Sequence, residues 1–175
     1  MSSNTTSASV RAGDFIYAFF NERGNSDIRI TRFTEDTRDP KTVSMEVNGS
    51  TVLSRDGEIA VVYIEKNDEL HLYYVGRDDN TGEWNMLTEA ALKQPKSTST
   101  DHKYWTLTNM DLNKKRFKAA SGTYLAAALS ADNDQYPRVF FRAKDNNDFV
   151  SMAEFSENRK GVKDWTVTTL TGVST

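Results

Sequence analysis

Apolar residues come along this chain in short runs, each closed by a polar turn. The segments "DIRITRF" from Asp27, "ELHLYYV" from Glu69 and "DWTVTTL" from Asp164 alternate in polarity or are rich in β-branched and aromatic residues. Such runs suit a pleated, half-buried surface, so they predict strands. Between the runs lie "ERGNSD", "EKND", "RDDNTG", "ADNDQ" and "KDNND", all built from turn-forming residues. "GDFIYAFF" from Gly13 and "GTYLAAAL" from Gly122 are apolar on both faces, as expected for strands covered on both sides. Ala126, Ala127 and Ala128 let neighbouring backbone pack closely, which places this run innermost in a radially arranged sheet. Residues 86–94, "MLTEAALKQ", read as a strand running into a loop, with one or two helical turns as the alternative. The loop "KQPKSTSTDHK" after it is polar and expected to be mobile.

The pattern repeats. Gly13, Gly57 and Gly122 each open a run of one polar residue followed by apolar ones, and each run is followed by a second apolar segment holding Arg29, His71 or Arg138. The spacing is 16 residues in the first and third copies and 14 in the second. Further on, "NTGEWNML" resembles "NNDFVSMA", "YWTLTNM" resembles "DWTVTTL", and "MEVN" at Met45 resembles "MDLN" at Met110. A full unit therefore holds four short strands. The first copy spans 44 residues against 65 for the second, so its third strand is expected to be missing or much reduced. Four-stranded units at this period mark an all-β chain of β-propeller-like antiparallel blades, about three per chain. The boundaries read as a flexible tail over 1–9 and blades over 10–53, 54–118 and 119–175.

Composition narrows the function. The chain has 175 residues, a net charge of −3 and no cysteine. No general electrostatic attraction draws it to nucleic acid, and neither disulfides nor a thiolate metal site are available. The start, "MSSNTTSASV", has neither a charged n-region nor an apolar core. A cytoplasmic location is therefore expected, with unconventional release left open and no membrane insertion. Two histidines, no phosphate loop and no nucleophile elbow leave an enzyme unmotivated. No cofactor or metal is expected. The loop "RDDNTGE" lacks calcium-loop spacing, and the basic run "NKKRFK" reads as a solvated turn.

The glycine-led "YLAA" strand, the following "PRVFF", the "NN" turn and the closing "WTV" strand resemble blades of the fungal fucose-specific lectins of the Aleuria type. The resemblance covers most of the chain and is best in the third blade. It implies shallow sugar sites between adjacent blades. Each site takes an arginine from a second strand, a glutamate from a third, and a nearby tryptophan or tyrosine. Arginine and glutamate would fork to sugar hydroxyls while the ring stacks on the sugar's apolar face.

Carried over residue by residue, Arg29 and Arg138 match the arginine, with His71 at that place in the second blade. Glu83 lies near the glutamate position; in the last blade that position falls near Ser151 or Met152, with Glu154 close but off register. Trp105 and Trp165 match the closing-strand aromatics, where the first blade has Pro40. The same residues also suit bland roles, the tryptophans as core and the arginines as structural ion pairs. The implied function is a glycan-binding lectin, fucose-recognising in the family. The alternative is a protein-interaction or assembly module on the same scaffold. Three blades are about half of the family's six-bladed ring, so a homodimer that closes the ring is expected.

Overall fold

A computed structural model describes residues 7–21, 27–54, 58–107, 112–131, 135–157 and 161–174. Three sheets follow one another along the chain. The first is formed by β1 (Ser7–Ala12), β2 (Phe15–Asn21), β3 (Ile28–Phe33) and β4 (Thr42–Ser44), in that order. The second is formed by β7 (Ile59–Ile64), β8 (Glu69–Arg77), β9 (Trp84–Lys93) and β10 (Tyr104–Leu107). A small hairpin, β5 (Glu46–Val47) and β6 (Ser50–Thr51), extends its outer edge, β5 pairing parallel with β10. The third sheet is β11 (Ala126–Leu129), β12 (Pro137–Ala143), β13 (Asn146–Glu157) and β14 (Lys163–Ser174). A one-turn helix, α1 (Leu112–Lys115), links the second sheet to the third. Within each four-stranded unit every pairing is antiparallel. The fold is all-β and propeller-like, with three blades.

β1 and β11 each lie against β7, so these are the inner strands of the fan. The second sheet sits between the other two and is buried on both faces; β8 has buried residues from Leu70 to Gly76. One hydrophobic cluster joins it to the first sheet through Tyr17, Phe19, Ile28, Ile30, Leu72 and Trp105. The other joins it to the third through Tyr73, Val75, Val139, Phe141, Phe155 and Trp165. The outer sheets each bury one face only. The uncovered face of the first carries Ile16, Ala18, Phe20 and Phe33, and that of the third carries Phe140 and Met152; none of these joins a cluster. Ile28 and Ile30 of β3 and Ala153 and Phe155 of β13 turn inward.

The first sheet corrects the reading of the first repeat. A strand already begins at Ser7, inside the stretch expected to be tail. Ala8, Val10 and Ala12 turn inward while Ser7, Ser9 and Arg11 turn out, a period of two written in small and polar residues. Gly13 is then a turn residue of the β1–β2 hairpin, at φ +60, where a side chain would be strained. "FIYAFFN" is a second strand rather than an inner one. "IRITRF" is the third, and the closing strand is cut to three residues. Gly57, which opens the second repeat, and Met110 lie outside the described residues, as does the stretch 1–6.

Residues 84–93 are strand throughout, with no helical turn. The loop after them is anchored to the first sheet: Tyr17 donates to the Pro95 carbonyl at 2.7 Å and Arg32 to that of Thr100 at 2.8 Å. The basic run is also tied down. Arg116 and Lys118 approach the Asp78 carboxylate at 2.5 and 3.8 Å, and Lys115 pairs with Asp164 at 2.5 Å. No described helix is long and apolar enough to cross a membrane.

Candidate functional site

The three sheets share one register. On the inner strands Ala8, Ala60 and Ala126 stand opposite Phe19, Tyr73 and Phe140 of the second strands. Two residues earlier on those second strands stand Tyr17, His71 and Arg138. Each of these points toward the space where a following sheet would pack, because side chains two apart share a face. Their third-strand opposites are Arg32, Ala91 and Glu154. The equivalent of Arg138 in the first sheet is thus Tyr17, not Arg29.

Two of the three equivalent places are closed. Between the first and second sheets, Tyr17 and Arg32 are occupied by backbone carbonyls of the loop after β9. Trp105, from the closing strand of the second sheet, meets Phe19 edge-on at 5.6 Å. Between the second and third sheets, His71 is 1% exposed and bridges Glu89 at 2.9 Å and Glu69 at 3.3 Å. Tyr73 donates to the same Glu89 oxygen at 2.9 Å. Burial alone would pull the His71 pKa down, but hydrogen bonds and the charges of Glu69 and Glu89 outweigh it and hold it at about 9. Trp165, from the closing strand of the third sheet, meets Tyr73 edge-on at 6.2 Å.

The third place is open. Arg138 Nε donates to Glu154 Oε1 at 2.5 Å, with side-chain exposures of 29% and 25%. Glu154 stands directly opposite Arg138 on the third strand. Phe140 and Met152 form the next row of the same face, with Ala126 and Ala128 beside them. A charged donor–acceptor pair thus lies next to a half-buried aromatic ring. A partly exposed ion pair within reach of water contributes on the order of 1 kcal/mol or less to stability, so the hydroxyls of a ligand can compete for both groups.

The other expected site residues lie elsewhere. Arg29 sits on the third strand of the first sheet, opposite Phe20 and Ser44, and donates to Ser44 Oγ at 3.0 Å. It faces outward from the opposite end of the fan. Glu83 precedes β9 and pairs with Lys144 at 2.9 Å. Trp105 and Trp165 are each 2% exposed. They are core residues at the two sheet junctions, and rings so covered offer no face to a sugar. Phe140 was missed because only the shared register, not the amino-acid type, sets it level with Phe19 and Tyr73.

No family profile matches the sequence, and no curated protein matches it. The fold is similar to that of a fucose lectin from Kordia zhangzhouensis in complex with methyl-fucoside, at a TM-score of 0.56 and 12% identity, over 97% of this chain and 100% of that one. It is also similar to an exo-β-1,3-galactanase from Phanerochaete chrysosporium with β-1,3-galactotriose, at a TM-score of 0.55 and 14% identity. There the match takes 93% of this chain and 38% of the enzyme. At such identities the likeness is one of fold.

Proposed function

We propose that this protein is a carbohydrate-binding lectin whose site is the open face around Arg138, Glu154 and Phe140. The observation that carries the reading is the partly exposed Arg138–Glu154 pair, at the one of the three register-equivalent places that the other described residues leave open. A guanidinium donates and a carboxylate accepts, so together they suit a pair of sugar hydroxyls. Phe140 beside them suits the ring's apolar face. The fold likeness to a fucose lectin and to a galactanase supports a glycan as ligand, and fucosylated glycans are the first class to test. Binding rather than cleavage fits the same pair, since Glu154 faces an arginine and not the second carboxyl that glycoside hydrolysis ordinarily uses.

The proposal includes a second copy of the chain. Phe19 and Tyr73 each take a tryptophan from the next sheet, whereas Phe140 takes none. A partner's first sheet offers the apolar row Ile16, Ala18, Phe20 and Phe33 to this face. Two copies about a two-fold axis would bury both open faces and close a ring. The closing strand of that sheet has no tryptophan, only Pro40 just before it. Space is then left beside Phe140, where a monosaccharide would sit. The two closed junctions favour a second reading, a protein-assembly module that has lost its sugar sites. A glycan array run with the wild type and Arg138→Ala tests between them. Binding that the substitution abolishes supports the lectin, and a wild type that binds no glycan removes it.

A further inference from the structure

We infer that a second saccharide site lies at the other end of the second sheet, in the cleft between Trp84 and the segment after the β5–β6 hairpin. The inference shares its ligand class with the proposal above but stands on different residues.

The cleft has a volume of about 420 Å³, within the size range of small-molecule sites. It opens at the C-terminal end of β8, whereas Arg138 occupies a position equivalent to the start of that strand. Its walls combine an apolar stretch with Ser50, Thr51, Thr88 and Asn113. Leu53 and Leu107 are 41% and 48% exposed there, and Trp84 is half-buried beside them. Trp84 is thus the one tryptophan of the chain that is not core. Gly76 lies on the floor, where a Cβ would come within 2.9 Å of Thr88 Oγ1 and 3.2 Å of the Tyr74 ring. Any larger residue would force these lining side chains to shift.

The mouth is polar and of mixed charge. Arg77, Asp79 and Arg116 line it, and Asp78 is a buried lining residue beside them. The Asp78 side chain is fully buried; Oδ1 accepts from Arg116 at 2.5 Å and from the Asn80 amide at 2.9 Å. Its Oδ2 is buried without a hydrogen bond, with Lys118 Nζ 3.8 Å away. Arg116 holds a left-handed backbone, φ +55, that non-glycine residues disfavour. The ion pair with Asp78 fixes its guanidinium at the mouth. Asp79 is exposed and lines the same rim.

Asp78 is already met by Arg116 and Lys118, and the exposed Arg77 and Asp79 are of opposite sign, so no large excess of either charge draws a simple anion or cation. A neutral ligand with many hydroxyls needs no such excess. It can donate to Asp79, accept from Arg77 or Arg116, and lay its C–H face on Trp84 and Leu107. One or two rings of a neutral saccharide meet this description.

The test uses Trp84 as its own reporter. Trp105 and Trp165 are each 2% exposed, so acrylamide quenches Trp84 first. The 175-residue chain carrying Arg138→Ala, which removes the first site, is titrated with glucose, galactose, mannose, fucose, lactose and cellobiose to ~50 mM, since a small polar ligand binds at about the millimolar level. At least one sugar should lower the quenching slope by about half, and adding Asp79→Ala or Arg77→Ala should weaken that protection about tenfold. If no sugar protects Trp84 in this background, or if protection appears only while Arg138 is intact, the second site is wrong. The first site is judged separately, by Arg138-dependent signal on the array.

Discussion

Arg138 and Glu154 face each other across β12 and β13, guanidinium Nε to carboxylate oxygen at 2.5 Å, on a sheet face that neither hydrophobic cluster includes. The same register at the other two sheets is filled, by a loop in one case and by His71 with its carboxylates in the other. The predictions rest on that contrast between one open place and two closed ones.

Glu154→Gln keeps the size and one acceptor of the side chain but removes its charge. Since a partly exposed pair contributes little to stability, the melting temperature should change by no more than about 2 °C. Glycan affinity should fall about tenfold, because hydrogen bonds to an ionised group are the stronger kind. Calorimetric titration with the best glycan from the array measures the second effect and a thermal melt the first. Unchanged affinity would show that Glu154 does not touch the ligand.

Trp105→Ala and Trp165→Ala should act on folding. Each indole fills a junction between sheets, so each loss should cost ~3–5 kcal/mol in urea unfolding. A variant that keeps its stability but loses glycan binding would return that tryptophan to the sugar site.

His71 gives a pH signature. Its folded pKa of about 9 lies above the ordinary 6.5, so its contribution to stability is complete below pH 6.5 and is lost as pH rises through about 9. Glu69 has the opposite sign: its pKa is lowered, first by the hydrogen bond from His71, so its contribution is lost as pH falls through that lowered value. The pKa of His102 is pulled down by burial, which puts its titration on the acid side of the window. Urea midpoints should therefore decline between pH 6.5 and 9.5 in the wild type and stay nearly level in His71→Gln. Equal slopes in the two proteins would remove the buried cluster from the account.

Phe140→Asp should break the assembly. An uncompensated charge in the centre of an apolar contact is costly. Light scattering at micromolar concentration should give about twice the 19.8 kDa chain mass for the wild type and a single chain for the variant. A wild-type monomer would remove the closed ring. A larger ring would keep the head-to-tail contact and overturn the two-fold count.

Much of the architecture was legible in the chain. Strands announced by β-branched and aromatic runs, such as Glu69–Arg77 and Lys163–Ser174, form where the pattern puts them. The strand Ser7–Ala12 was hidden because its inward residues are two alanines and one valine, too small to stand out from a polar tail. Missing it moved every strand of the first repeat by one and set Arg29 level with Arg138, whereas the sheet sets Tyr17 there. Glu154 is visible as a glutamate on a third strand, but its partner is fixed by strand register, which is a property of pairing. The burial of Trp105 and Trp165 was equally out of reach, since an aromatic on a closing strand reads alike whether the next sheet covers it or a sugar does.

The central claim is that the open face at Arg138 and Glu154 holds the sugar. A crystal structure of the 175-residue chain grown with methyl-fucoside, or with the best glycan from the array, tests it most directly. The account predicts a sugar bonded to Arg138 and Glu154 with its C–H face on Phe140, and the first sheet of a second copy closing the far side. A sugar bound elsewhere, with Arg138 still paired to Glu154 and nothing against Phe140, would contradict it.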